Sequence, residues 1–144
     1  HPGQLHVTSD PVLVRTILGS CVAVCLFDPS AGVGGISHFL LPGKPPKSSD
    51  ELRYGVTSTE RLIDQMIGRG CATDRMRGQM FGGACVLAAF AGARVPLGEA
   101  NEKSAREVLT QRGIHILAGQ TGGNHGRTLL FDPRTGAVQV KEIG

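Results

Sequence analysis

The sequence predicts an α+β fold, namely a single-domain α/β sandwich in which at least two helices pack on a sheet of mixed or antiparallel strands. Roughly seven short runs of apolar and β-branched residues, bounded by Gly and Pro, predict the strands. Two longer stretches, residues 57–69 and 101–112, repeat their apolar residues at helical spacing. A chain of 144 residues has the length of one domain that buries its own core, so we expect a single domain over residues 1–144.

The N-terminal third of the chain predicts three strands. A polar lead-in at residues 8–11 precedes the first strand, over residues 12–18. The next two apolar runs, residues 21–27 and 33–41, flank a turn at residues 28–32 that contains Asp, Pro and Gly. Two apolar runs joined by such a turn predict a hairpin.

The middle of the chain predicts a loop followed by a helix. Residues 42–50 are polar and rich in Pro, and this loop either forms a wall of a site beside the hairpin or is plain surface. The helix over residues 57–69 begins at a capping box formed by Thr57 and Glu60, and Gly70 follows its end.

The C-terminal half combines strands with a second helix. Residues 85–92 are small and apolar, and they predict either a short helix or an irregular segment. Asn101 is the expected N-cap of a helix that reaches Arg112, with Gly113 just past its end. Four strands, of which the last two form a closing hairpin, are predicted at residues 75–81, 114–118, 127–132 and 137–143.

Composition narrows the possible functions. The formal charge is +3, and Lys and Arg are scattered without blocks or interleaved aromatics, so nucleic-acid binding is not expected. No apolar run approaches the roughly 20 residues of a membrane helix, and no signal peptide is visible, so we expect a cytoplasmic protein with no membrane insertion. The chain begins with His1 rather than Met, so we expect a missing or tag-derived N-terminus.

The four cysteines fit neither a disulfide framework nor a zinc site. Cys21 and Cys25, on one predicted strand, would lie about 13 Å apart at a rise of roughly 3.3 Å per residue, too far for a disulfide. No C-x-x-C pair occurs, and the spacings match no zinc pattern. We therefore expect reduced thiols, and no metal or other cofactor.

A thiol and an imidazole lie on the two strands of the predicted hairpin. Cys21 opens the first strand directly after Gly19 and Ser20, and His38 lies within the second. Neighbouring strands bring such groups within reach, and a thiol beside an imidazole is the arrangement of a nucleophile and its base. Small residues before Cys21 leave the thiol accessible and let backbone N–H groups approach an oxyanion. The alternative is that both are ordinary core residues.

Two longer motifs contain the thiol and the imidazole, LGSCVAV at residues 18–24 and GISHFLLP at residues 35–42. Asp28-Pro29 and the shorter segments at 81–84, 97–101 and 121–124 accompany them. In these segments the chain resembles the CheD family of chemoreceptor glutamine deamidases. This resemblance implies that Cys21 is the nucleophile and His38 the base. The family also uses a Thr just upstream of the Cys, for which Thr16 is the match and Arg15 the competing position.

The resemblance further implies hydrolysis of glutamine side chains on the cytoplasmic helices of a chemoreceptor, through a thioester. Gly19, Ser20, Gly82 and Gly83 are the residues that we expect to bind that side chain. We expect a monomer without cofactor. One alternative is a non-catalytic module that docks on a CheC-type phosphatase, as family members do. Transglutamination or ester hydrolysis would share the same acyl-enzyme.

The alternation of strand side chains constrains the third residue. Thr16 and Cys21 are separated by an odd number of positions, so one regular strand would place them on opposite faces. Gly19 and Ser20 must therefore break the strand if both residues belong to one site. We also expect the Cys21 sulfur within roughly 4 Å of a ring nitrogen of His38.

Overall fold

Two sheets and two helices make up the structure, a computed structural model that describes residues 2–46, 50–85 and 95–144. The helices are α1 (Gly55–Gly68) and α2 (Leu97–Gln111), and a short 3₁₀ turn covers Glu51–Arg53. The strands within the described ranges are β1 (Gln4–Thr8), β2 (Val14–Leu18), β3 (Val22–Asp28), β4 (Val33–Phe39), β5 (Arg77–Gly82), β6 (His115–Ile116), β7 (Gln120–Thr121), β8 (Gly126–Phe131) and β9 (Val138–Ile143). The predicted α+β sandwich is confirmed.

The larger sheet is mixed. Its strand order is β1-β4-β3-β5-β6, and β7 also pairs with β5. The short strands β6 and β7 run parallel to β5, whereas the other pairs are antiparallel. The smaller sheet is antiparallel, in the order β2-β8-β9. The chain therefore leaves the small sheet at the end of β2 and enters the large sheet at the start of β3.

Strand β3 lies at the centre of the sandwich and is covered on both faces. Val22, Val24 and Leu26 pack against the helices, while Ala23 and Cys25 pack against the small sheet. This double burial explains why the strand is a continuous apolar run without polar alternation. The helices contribute their apolar stripes to the first of these two cores, with Leu62, Ile63, Met66, Ala105, Val108 and Leu109.

The predicted hairpins are both present, and the predicted N-caps of both helices are wrong. Helix α1 begins at Gly55, so Thr57 lies inside it and forms no capping box. A side chain at Gly55 would meet the Phe39 ring at 2.6 Å, which is why the helix starts on a glycine. Helix α2 begins at Leu97, and Asn101 lies fully buried within it. Asn favours helix N-caps by local propensity, but the side chain of Asn101 bonds to distant backbone groups instead.

The helix ends were predicted correctly, because Gly70 and Gly113 follow them with φ values of 90° and 71°. Strand β1 was missed, since its alternating side chains are partly polar and it pairs on one side with β4. The strand expected at residues 114–118 is only two residues long, and most of the segment at 85–92 lies outside the described residues.

The packing of α1 on the large sheet gives a stability test. Leu62 is fully buried, whereas Ile67 on the same helix is 43% exposed. Leu62→Ala should lower the free energy of unfolding by about 2–5 kcal/mol, because it removes buried methyl groups and leaves a cavity. Ile67→Ala should change it by less than about 1 kcal/mol. Urea unfolding of the two variants measures both values, and equal losses would contradict the packing described for α1.

Candidate active site

The segment between β2 and β3 carries the candidate nucleophile. Gly19 and Ser20 form a bend, and the half-buried Cys21 immediately precedes β3. Because β2 and β3 belong to different sheets, the strand is broken at the place where the alternation of Thr16 and Cys21 requires a break. The Cys21 side chain packs against the core between the two sheets.

The backbone on both sides of Cys21 is held by the chain that follows β5. The Gly83 N–H donates to the Cys21 carbonyl at 2.9 Å, and the Ala84 N–H donates to the Gly19 carbonyl at 3.0 Å. A Cβ atom at Gly82 would lie 2.2 Å from the Cys21 carbonyl oxygen, so only glycine fits there. Gly82 and Gly83 also have positive φ values, 99° and 65°. Gly82 and Gly83, two of the predicted pocket residues, therefore contact Cys21 through their backbone atoms.

His38 comes from β4 and lies between the two sheets. It pairs with Ala23 in the ladder of β3 and β4, and it is 6% exposed. Its Nδ1 atom lies 3.0 Å from Oγ1 of Thr16 on β2, so a hydrogen bond joins the small sheet to the large one. Arg15, the competing position, is exposed, as expected for the neighbour that faces the other way. The structure thus brings Thr16 and His38 together.

The second ring nitrogen of His38 is free. Nε2 is buried and has no hydrogen-bond partner among the described residues. When Nδ1 carries the proton and donates it to the Thr16 hydroxyl, Nε2 is a proton acceptor. Cys21 lies two residues before Ala23 and is therefore diagonal to His38 across the ladder, a relation that typically separates backbones by about 7–8 Å. The expected approach of its sulfur to within roughly 4 Å stays a prediction.

Burial favours the neutral form of both Cys21 and His38. It raises the pKa of the Cys21 thiol, and the backbone N–H of Cys21 itself offsets part of that rise. Burial is also the largest cause that lowers the pKa of His38, to about 4. Desolvation disfavours whichever form is charged. At neutral pH the free protein therefore holds a neutral thiol and a neutral imidazole, not a thiolate–imidazolium pair.

The other cysteines and histidines differ from this pair. Cys21, Cys25 and Cys71 form no disulfide bond, and Cys25 is 2% exposed with a pKa raised by burial. The remaining described histidines, His6, His115 and His125, are exposed, as predicted. Within residues 2–46, 50–85 and 95–144, no group of three or more His, Cys, Asp or Glu side chains is arranged to hold a metal ion.

An open groove of about 1070 Å³ runs past His38 and Thr16. Strands β1, β2 and β4 form its walls, and its lining includes His6, Arg15 and Ile36. The groove reaches the imidazole, but Cys21 and the four predicted pocket residues do not line it. The described part of the Pro-rich loop, residues 42–46, does not line it either, so this part of the loop forms no wall of the groove.

Two buried polar residues near the site were not predicted. Asn101 donates from Nδ2 to the carbonyls of Ser20 and Leu40, both at 3.0 Å. Arg127 donates to the carbonyl of Gly82 at 3.0 Å and to that of Gly122 at 2.8 Å. The sequence holds a signal for Arg127, because alternation along β8 places it on the face that carries the apolar residues of that strand.

Comparison with known proteins identifies the family. The family model described as "CheD chemotactic sensory transduction" matches residues 40–142. The "Probable chemoreceptor glutamine deamidase CheD" of Rhizobium meliloti (strain 1021) is 45% identical over 141 residues, which are 95% of this chain and 75% of that protein. The protein of the same name from Sinorhizobium medicae (strain WSM419) has the same identity and coverage. The chain belongs to the CheD family.

The match to the CheD family model begins at Leu40, after both Cys21 and His38, whereas the relatives align with nearly the whole chain. A solved structure, the Bacillus licheniformis hypothetical protein YfiH, has a similar fold with a TM-score of 0.50 and 14% identity. The alignment covers 81% of this chain and 49% of that one, so the chain spans about half of that protein. Neither helix in the described parts of the chain is long and apolar enough to cross a bilayer.

The pKa of His38 predicts how stability depends on pH. Since the folded pKa of about 4 lies below the ordinary value of roughly 6.5, the unfolded chain binds this proton more readily. The free energy of unfolding should therefore fall as the pH drops from about 6.5 to 4, by on the order of 3 kcal/mol from this residue. His38→Gln should flatten that part of the curve, measured by urea unfolding across the pH range.

His125→Gln is the control, because His125 is exposed. That variant should keep the pH dependence of the parent protein. A His38→Gln protein with an unchanged slope between these pH values would contradict the buried, neutral imidazole.

Proposed function

We propose that the chain is a protein-glutamine deamidase that converts glutamine side chains of chemoreceptors to glutamate, with Cys21 as nucleophile and His38 as base. The observation that carries this assignment is the bond from His38 Nδ1 to Thr16, which leaves Nε2 buried and unpartnered between the sheets, where Cys21 also packs. The names of relatives 45% identical to the chain support the substrate.

The first step joins the thiol to the glutamine amide. Because thiol and imidazole are both neutral in the free protein, His38 acts as a general base while the C–S bond forms. Nε2 takes the proton of Cys21 as the sulfur attacks the amide carbon, and the carbonyl electrons move to the oxygen. The imidazole becomes positive only when this proton arrives. The free-energy cost of the buried charge therefore arises during the reaction and not in the resting protein.

The second step releases ammonia and then glutamate. The imidazolium donates its proton to the amide nitrogen, the C–N bond breaks, and a thioester remains on Cys21. Nε2 then takes a proton from a water molecule, whose oxygen attacks the thioester. The C–S bond breaks, and the thiol recovers its proton from His38. One water is consumed and one ammonia is released for each glutamine.

Two groups of polar atoms assist these steps. The N–H of Cys21 and nearby backbone N–H groups are the candidates for stabilising the oxyanion. The Thr16 hydroxyl accepts the Nδ1–H and holds the ring in the orientation in which Nε2 accepts the proton of Cys21. A hydroxyl supplies orientation without the negative charge of an Asp, so its contribution is smaller than that of the carboxylate in an Asp-containing triad.

The setting follows from the substrate. We propose that a single domain over residues 1–144 acts as a monomer in the cytoplasm, on glutamines that project from the helices of a chemoreceptor. Gly19, Ser20, Gly82 and Gly83 are proposed to bind the glutamine, because small residues let a side chain approach the backbone at Cys21. Docking on a CheC-type phosphatase stays a prediction, which no observation on the described residues favours.

Separate replacement of Cys21, just before β3, and Cys25, within β3, tests the nucleophile. Cys21→Ala should abolish deamidation of a receptor fragment, because the thioester needs this sulfur. Cys25→Ala should retain activity, since Cys25 is buried in the core between the sheets. Mass spectrometry of the fragment measures both, with a gain of about 1 Da per deamidated glutamine and an amine adduct if the acyl group is transferred instead. A folded Cys21→Ala protein with parent activity would overturn the assignment.

Replacement of Thr16 tests the orientation of the ring. Thr16→Val keeps the shape of the side chain and removes the hydroxyl, so kcat should fall about tenfold or more if the ring loses its alignment. The loss in the free energy of unfolding should be only about 1 kcal/mol, the typical value of one neutral hydrogen bond. Thr16→Ser is the matched control and should recover most of the rate. Equal rates for the Val and Ser variants would remove Thr16 from the mechanism.

A further inference from the structure

One face of helix α2 contacts the backbone around the site. Gly98, Asn101 and Ser104 are spaced three residues apart and are all buried. A Cβ atom at Gly98 would lie 2.2 Å from the Gly83 carbonyl oxygen, so the helix packs directly on the chain that follows β5. Ser104 accepts a hydrogen bond from the Gly43 N–H at 3.0 Å. The helix therefore contacts several chain segments at this end of the large sheet.

Asn101 lies between the segments that carry the thiol and the imidazole. Its Nδ2 atom donates to the carbonyls of Ser20 and Leu40, both at 3.0 Å, and the residue is fully buried. Two carbonyl oxygens need two N–H donors, which fixes the orientation of the amide. Ser20 immediately precedes Cys21, and Leu40 lies two residues after His38.

The ladder of β3 and β4 ends at this point. Its last pair is Val22 with Phe39, and no ladder pair joins the two chains beyond it. On one side the Cys21 carbonyl accepts from Gly83, and on the other the Leu40 N–H donates to Arg53 at 2.9 Å. The regular ladder therefore no longer sets the spacing of the two segments where Cys21 lies. The side chain of Asn101 joins them beyond the end of the ladder.

We propose that Asn101 is a positioning residue that fixes the separation of the Cys21 sulfur from His38 Nε2. It acts through the carbonyls of Ser20 and Leu40 and touches neither the substrate nor the reacting atoms. The proposal rests on the proposed function of Cys21 and His38. A shift of about 1 Å between reacting groups can cost roughly 100-fold in rate, so a residue that holds two backbone segments together can have a large effect on kcat.

A purely structural role would give a different result, and Ser104 provides the comparison. Ser104 is buried on the same face of α2 and also bonds to one backbone group, but its partner Gly43 belongs to neither of the two segments. Ser104→Ala therefore removes a buried helix-to-backbone hydrogen bond without freeing the chain at Cys21 or His38. Asn101→Ala removes both donors of Asn101, and Asn101→Ser keeps one hydroxyl donor.

The experiment measures kcat and KM on a receptor fragment for these three variants, with thermal unfolding of each. We expect Asn101→Ala to lower kcat about 10- to 100-fold with KM changed less than about twofold, and Asn101→Ser to lie between it and the parent. Ser104→Ala should keep kcat within about threefold of the parent. If Ser104→Ala lowers kcat as much as Asn101→Ala does, or if neither Asn101 variant folds while Ser104→Ala does, the positioning role is wrong.

A second measurement is independent of the substrate. Iodoacetamide alkylation at Cys21, followed from pH 6 to 9 by peptide mass spectrometry, reports how well His38 assists the thiol. We expect the pH profile of Asn101→Ala to move toward that of His38→Ala, and that of Ser104→Ala to match the parent. If the parent shows this coupling but does not deamidate the receptor fragment, the proposed function fails and the positioning role stands. Alkylation that is unchanged in Asn101→Ala would overturn the positioning role.

Discussion

The passage of the chain between two sheets within three residues is the constraint on which the site depends. Strand β2 belongs to the small sheet and β3 to the large one, so Gly19, Ser20 and Cys21 must make the whole crossing. The crossing places Thr16 on one wall of the space between the sheets and His38 on the other, where they form a hydrogen bond. Because of the crossing, Cys21 lies outside the regular ladder, and hydrogen bonds from neighbouring backbone hold it instead.

Neighbouring backbone groups and the side chain of Asn101 support the crossing. Gly83 and Ala84 bond to its carbonyls, Gly82 packs against the Cys21 carbonyl, and Asn101 binds Ser20. Such contacts require glycine where two backbones approach, because a Cβ atom would collide. The same geometry explains why the first turn of helix α2 carries Gly98, which packs against Gly83. The crossing is thus held by close backbone packing together with the hydrogen bond from Asn101.

Sequence reasoning found the parts of this arrangement that depend on local pattern. The hairpin of β3 and β4 was predictable because a strand buried on both faces is a continuous apolar run. Strand β1 was not, since its alternating side chains are partly polar. Asn101 was mistaken for a cap because propensity describes only nearby residues, whereas its partners Ser20 and Leu40 lie 81 and 61 positions away along the chain. The same limit applies to the distance from Cys21 to His38, which alternation bounds but does not fix.

A threonine as the proposed third residue fits the protonation of the pair. A carboxylate beside Nδ1 would favour the imidazolium and raise the pKa of His38, whereas a hydroxyl leaves burial as the dominant influence and the ring stays neutral. A neutral ring has its Nε2 lone pair available to take the thiol proton, and a neutral thiol in a half-buried position is less exposed to oxidation than a thiolate. The raised pKa therefore keeps the Cys21 thiol protonated in the resting protein at neutral pH. In the proposed mechanism, the thiol is activated only after the amide binds, when its proton moves to His38.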